Sequence, residues 1–251
     1  MLAVTDPPES KRPRARFPTT DWSRIVTAGD RSAPGAREAL AELCGAYWYP
    51  LYAFVRRRGH DPESAEDLVQ GFFATLLERE SLAAVDRSKG RFRSFLVASC
   101  AHYLSNRHDH ERRLKRGRGQ AIVPIDVVSA EDRYRREPAH DLTPERLFER
   151  QWATTLLEHV LERLEAEMAA AGKAPTFAAL KPALLGSAER LSYARVAADL
   201  GCSEGAARAA AHRLRARYRA LLRHEVARTL EDTSAVDEEI RELFAAFEGG
   251  S

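Results

Sequence analysis

Four side chains near the middle of the sequence, His102, His108, Asp109 and His110, are of the types that hold a catalytic divalent metal in nucleases. Their spacing works against that chemistry. Successive residues on a helix point about 100° apart, so His108, Asp109 and His110 do not converge on one ion unless that turn unwinds. Solvated or phosphate-touching histidines are the expected reading. The sequence holds no P-loop, no dinucleotide-binding glycine pattern and no GxSxG nucleophile elbow. Its three cysteines, Cys44, Cys100 and Cys202, are an odd number without a CxxC pair, which argues against a disulfide framework or a zinc site and for buried thiols. No catalytic residue, metal or cofactor is expected, and the chain reads as a non-enzyme.

A different chemistry is written further along. Ser192 to Leu200 reads as a short helix, Gly201 supplies the positive φ of a tight turn, and Ser203 caps a second helix. Val196, Ala197 and Leu200 face inward, and Ala197 is small enough for a close helix crossing. On the second helix Ala207, Ala211, Leu214, Tyr218 and Leu221 should pack, leaving Arg208, His212, Arg215 and Arg219 as a cationic stripe. This is a helix-turn-helix pattern, and such a second helix enters a DNA major groove with its first residues, Ser203 and Glu204 among them, near base edges. Arg208 is expected to reach a base and Arg219, much further along, a phosphate. A stripe of this kind on an ordinary helix would be only a solvated face; the turn signature favours DNA.

Charge is segregated in the way a nucleic-acid binder requires. The whole chain carries 39 basic and 37 acidic residues, a net charge of only +2. Between Arg107 and Arg118 stand six basic residues against two acidic, and between Glu204 and Arg228 seven arginines against two glutamates. Glu231 to Glu248 instead holds seven acidic residues against Arg241 alone. No apolar run approaches the ~20 residues that span a bilayer, and the first residues lack the apolar stretch of a secretory signal, so a soluble cytoplasmic protein is expected, with no membrane partner.

The elements that position these groups are helical throughout. The one β-like stretch, Ala121 to Val128, is short and holds Pro124. The fold class expected is all-α, with two helical domains joined by a linker. Residues 1–16 form a disordered basic tail, 17–116 a four-helix domain, 117–142 the linker, 143–230 the helix-turn-helix domain, and 231–251 an acidic tail or short helix. In the first domain one helix starts after Thr19 or Thr20. Another is capped by Ser32 with Pro34 in its first turn, buries Leu40, Leu43, Tyr47, Leu51 and Phe54, is kinked at Pro50 and ends at Gly59. Asp61-Pro62 opens a helix with Leu68, Phe72, Phe73, Leu76 and Leu77 on one face and Glu63, Glu66, Asp67 and Gln70 on the other. A loop of roughly Arg79 to Arg91 precedes a long helix from Phe92 to the basic cluster near Leu114. Thr143-Pro144 restarts a helix that Gly172 closes. The linker of about 26 residues could reach roughly 86 Å when extended.

AEDLVQGFFATLLER (65–79), GRFRSFLVASCAHYLSNRHDHERRLKR (90–116) and LSYARVAADLGCSEGAARAAAHRLRARYRALL (191–222), in that order, resemble regions two and four of bacterial extracytoplasmic-function (ECF) sigma factors, the dissociable subunits that give RNA polymerase its promoter specificity. TTDWSRIVTAGD and LTPERLFERQWA resemble a longer variety of that family. The resemblance implies an alternative sigma factor that directs promoter recognition and opening. Its partners would be core RNA polymerase, through the β′ clamp and the β flap, and promoter DNA, with an anti-sigma factor or other regulator as a further candidate. It implies that Glu66, Asp67, Gln70 and Phe73 meet the clamp. It places Asp86, Arg87, Ser88, Lys89 and Arg91 at a flipped base of the melted minus-ten element, with Asn106, Arg107 and His110 on the duplex upstream. Ser203, Glu204, Arg208, His212, Arg215 and Arg219 would serve the minus-thirty-five element. Many members carry an acidic residue where this chain has Gly71, and larger residues where it has Ala206, Ala207 and Ala211. A stand-alone helix-turn-helix regulator with an effector-binding first domain is the alternative, and a metal-dependent nuclease a weaker one.

Overall fold

A computed structural model describes residues 34–78, 91–111, 127–136, 142–185, 192–230 and 232–248. The described residues form nine α-helices and no strand, an all-α fold. They are α1 (Ala36–Arg57), α2 (Pro62–Glu78), α3 (Phe92–Glu111), α4 (Val127–Arg135), α5 (Pro144–Ala170), α6 (Ala174–Leu180), α7 (Tyr193–Leu200), α8 (Glu204–Arg228) and α9 (Val236–Glu248). None of them is long and apolar enough to cross a membrane. The helix expected after Thr19 or Thr20, the basic tail and most of the loop before α3 lie outside the described residues.

Local sequence sets most helix starts. Asp61 accepts from the Ser64 backbone N–H at 2.9 Å and from its hydroxyl at 2.7 Å, closing the first turn of α2 behind Pro62. Thr143 accepts from the Arg146 N–H with Pro144 as the first residue of α5. The start of α1 differs from expectation. The helix begins at Ala36, after Gly35 at φ 83°, and Pro34 stands in the preceding turn, because the left-handed Gly35 lets the chain enter from outside the helix axis. Gly59, at φ 94°, ends the turn after α1 as expected.

The packing joins what the sequence divides. α1 is wrapped on more than one side: Leu43, Tyr47, Leu51 and Phe54 are buried, and so are Ala46, Tyr52 and Val55. α2 covers one flank and α5 another, where Tyr47 and Phe148 stack with ring centroids 6.4 Å apart. α5 has 27 residues, about 40 Å of helix. Its first half packs on α1, and its second half packs on α8, where Arg217 forks onto Glu167 at 2.8 and 2.9 Å and the Tyr218 hydroxyl donates to the Leu157 carbonyl at 3.2 Å. One apolar cluster therefore runs from Ala39 in α1 to Leu243 in α9. This cluster includes residues on both sides of the boundary expected at residue 143.

The expected linker holds a correction too. Residues 127–135 are helical, and α4 is held on α1 by a buried carboxylate. Glu131 accepts from the Tyr52 hydroxyl at 2.8 Å and from both Nε and Nη2 of Arg56 at 2.9 Å, while Arg133 lies 4.1 Å over the Tyr49 ring. A carboxylate gives no apolar periodicity, which is why the sequence pattern missed it. An extended reach of 26 residues is thus not available while α4 stays docked.

The Arg56 hydrogen bond, with help from the Tyr52 hydroxyl, holds the Glu131 carboxyl below its ordinary value of 4.5 against the opposing effect of burial. A lowered folded value stabilises the fold above the ordinary value and is lost as pH falls through the lowered one. Acidification below pH 4.5 is therefore expected to loosen α4, and Glu131→Gln to cost about 1 to 3 kcal/mol at neutral pH. Amide exchange of residues 130–135, compared at neutral and acid pH in both proteins, checks this: the pH dependence of α4 should shrink in the variant.

Candidate nucleic-acid interface and acidic docking face

The helix-turn-helix stands on three local devices. Ser192 accepts from the Arg195 N–H to start α7, Gly201 takes φ 64° to end it, and Ser203 accepts from the Ala206 N–H at 3.2 Å to start α8. Val196 and Ala197 are buried and Leu200 is half-buried against α8, whose Ala207, Ala211, Leu214 and Leu221 face inward with Tyr218 half-buried. Burial pushes the Tyr218 phenol up to about 12. Ser203 serves here as a helix cap, so its oxygen is engaged at home.

The stripe of cations is less uniform than its spacing implies. Arg215 turns back, donating from Nε to the Ala183 carbonyl at 3.3 Å and from Nη2 to the Tyr193 hydroxyl at 3.2 Å, so it braces α8 against α7. Two of its donors therefore serve groups within the fold. Arg208 lies 5.0 Å over the Tyr193 ring and 2.6 Å from Glu204, yet it is 62% exposed, and an exposed i,i+4 pair holds a side chain by only about 0.5 kcal/mol. It stays recruitable. His212 and Arg219 are exposed. Arg213, which the sequence reading passed over, is also exposed and has no ion pair or hydrogen-bond partner among the described residues. At about 100° per residue it falls on the outward side of α8 with Ala209 and Ala216, opposite the buried line through Ala207 and Ala211, and that arithmetic is the signal that could have found it. The outward face of α8 is thus small residues flanked by His212, Arg213 and Arg219, a shape that lets a helix approach a groove closely.

A second surface lies on α2. Asp67 and Glu63 are exposed, and Glu66 and Gln70 are half-buried and joined by a 3.0 Å hydrogen bond. Glu63, Glu66 and Asp67 have no ion pair with any described residue. Burial first, then the charges of Asp67 and Glu63, raise the Glu66 carboxyl above its ordinary value. The fold leaves this repulsion uncompensated. Phe73 is different: it is 4% exposed and packed against Phe72.

A Cβ at Gly71 would meet the Tyr103 hydroxyl and Arg107 Nη1, the movable ends of two α3 side chains, which lie over this stretch of α2. Arg107 donates to the Tyr103 hydroxyl at 2.7 Å. Asn106 is exposed and hydrogen-bonded to His102. His110 is in the last turn of α3, but its side chain, with those of His108 and Asp109, lies outside the described residues, as do Asp86, Arg87, Ser88 and Lys89. Arg91 is described, and it points to the protein: its Nε is 2.8 Å from Glu239 Oε2, and it also pairs with Glu242. The Arg91 hydrogen bond lowers the Glu242 carboxyl.

Cys44 and Cys100 are buried as expected, and burial pushes both thiols up to about 12, leaving them poor nucleophiles. Cys202 departs from that expectation: it is exposed, since it follows Gly201 in the turn. No protein-family profile matches the chain, and no curated protein or solved structure matches it.

Proposed function

We propose that this chain is an alternative sigma factor of the extracytoplasmic-function type, which docks on core RNA polymerase through the acidic face of α2 and reads promoter duplex with α8. The observation that carries the reading is the pair of unsatisfied surfaces on one body: an acidic helix whose mutual repulsion calls for a cationic partner, and a capped helix-turn-helix whose outward face combines small residues with unpaired cations. Glu63, Glu66, Asp67, Arg213 and Arg219 have no ion pair among the described residues. Transcription from a promoter library by core polymerase with this protein tests the reading.

The continuous core through α5 favours one other reading, a stand-alone regulator whose first half and helix-turn-helix respond as one body to an effector. Copurification with core polymerase separates the two, since a regulator of that kind has no need of the enzyme.

On the proposed reading, Arg213 supplies a base contact and Arg219, about 22 Å along α8 from its first residue, a phosphate contact. Arg213→Ala should relax preference at one or two upstream positions by about 1 to 3 kcal/mol, whereas Arg219→Ala should lower output from every promoter alike. Sequencing the upstream boxes selected by each variant checks both expectations. An unchanged preference with Arg213→Ala would move the base contact to Arg208 or His212.

A further inference from the structure

The acidic tail of the sequence is a helix, and its carboxylates are not spent on solvent. α9 buries Val236 and Leu243 against the seam of α5 and α8. Asp237 at its start takes Arg223 of α8. Glu239, 1% exposed, takes Arg93, which is 5% exposed, lies 4.5 Å over the Trp152 ring and is shared with Glu149 at 2.7 Å. Glu239 and Glu242 together take Arg91. One short helix thus ties the start of α3 to the end of the helix-turn-helix. The tie is incomplete in one respect: Glu239 Oε2 is buried and, although 2.8 Å from Arg91 Nε, accepts no aligned hydrogen bond. A buried acceptor left short of a partner makes a contact easier to exchange for another.

We propose that α9 is an internal clasp that withholds Arg91 from nucleic acid, its carboxylates occupying the guanidinium where a phosphate oxygen would sit. The proposal rests on the nucleic-acid reading of this chain and adds its regulation. Release of α9 frees Arg91.

The test uses the full chain and a dye-labelled mixed-sequence single-stranded oligonucleotide, with binding read by anisotropy across a salt series. Neither polymerase nor promoter is involved, so failure here and failure of the transcription reading are separate results. Glu239→Gln/Glu242→Gln should bind about five- to tenfold more tightly than the parent, with a salt slope steeper by about the 0.7 that one added phosphate contact gives on a single strand. Glu242→Gln alone, which touches only the exposed pair and leaves buried Arg93 with Glu239, should give a smaller gain and guards against a misfolded double variant. Adding Arg91→Gln should cancel each gain. The clasp is refuted if the folded variants bind no more tightly than the parent, if none binds at low salt, or if the gain survives Arg91→Gln, since simple loss of negative charge would then account for it.

Discussion

Reversing Glu66 and Asp67 to lysine should release the protein from core RNA polymerase while leaving its unfolding almost unchanged. Truncating or opposing a charge at a complementary interface costs about 2 to 5 kcal/mol, which is roughly 30-fold to several thousand-fold in affinity. The cost to the fold is small because these carboxylates hold nothing in place: Asp67 has no ion pair with a described residue, and Glu66 is bonded only to Gln70. The Glu66 carboxyl is itself destabilised by burial and by its acidic neighbours, so removing charge there relieves repulsion. Retention on immobilised polymerase, read beside a thermal melt, separates the two effects. Undiminished retention would remove α2 from the interface.

Trp152→Ala should be the most damaging single change, and it should be felt at both ends of the molecule. The indole is 2% exposed in the first half of α5, and Arg93 lies over its face. Removing a buried aromatic costs about 3 to 5 kcal/mol, a large part of the roughly 5 to 15 kcal/mol that keeps a domain folded. Arg93 also loses the surface that shields it. Because α5 serves α1 with one half and α8 with the other, amide protection in α1 and in α8 should fall together. Loss confined to residues before 143, with α7 and α8 as protected as before, would restore the division into two independent domains.

What the sequence showed and what it hid follow from the range of the forces involved. Asp61-Pro62, Thr143-Pro144 and the run from Ser192 through Gly201 to Ser203 act within one turn of backbone, so each was legible and each stands where expected. The 3.6-residue period also gave the packed line of α8. It did not give α4, whose anchor Glu131 meets Tyr52 across 79 positions of sequence, nor the inward turn of Arg215 to a carbonyl 32 residues away. Charged residues recruited by distant partners look like solvated ones in a sequence. The same holds for α9: its acidic run read as a tail or short helix because nothing local reveals that Arg91, Arg93 and Arg223 wait for it. The start and stop of α5 were legible, but they do not say that its two halves face different partners.

On the proposed reading, this chain confers promoter choice on core polymerase. The direct measurement is transcription from a randomised promoter library by core polymerase with and without the purified protein, the products sequenced at their 5′ ends. Initiation is expected at defined positions, absent with core alone, on templates sharing an upstream and a start-proximal preference, and is expected to be lost with the Glu66 and Asp67 reversal. Binding of a specific duplex by the protein alone, with no initiation above that of core polymerase, would contradict it.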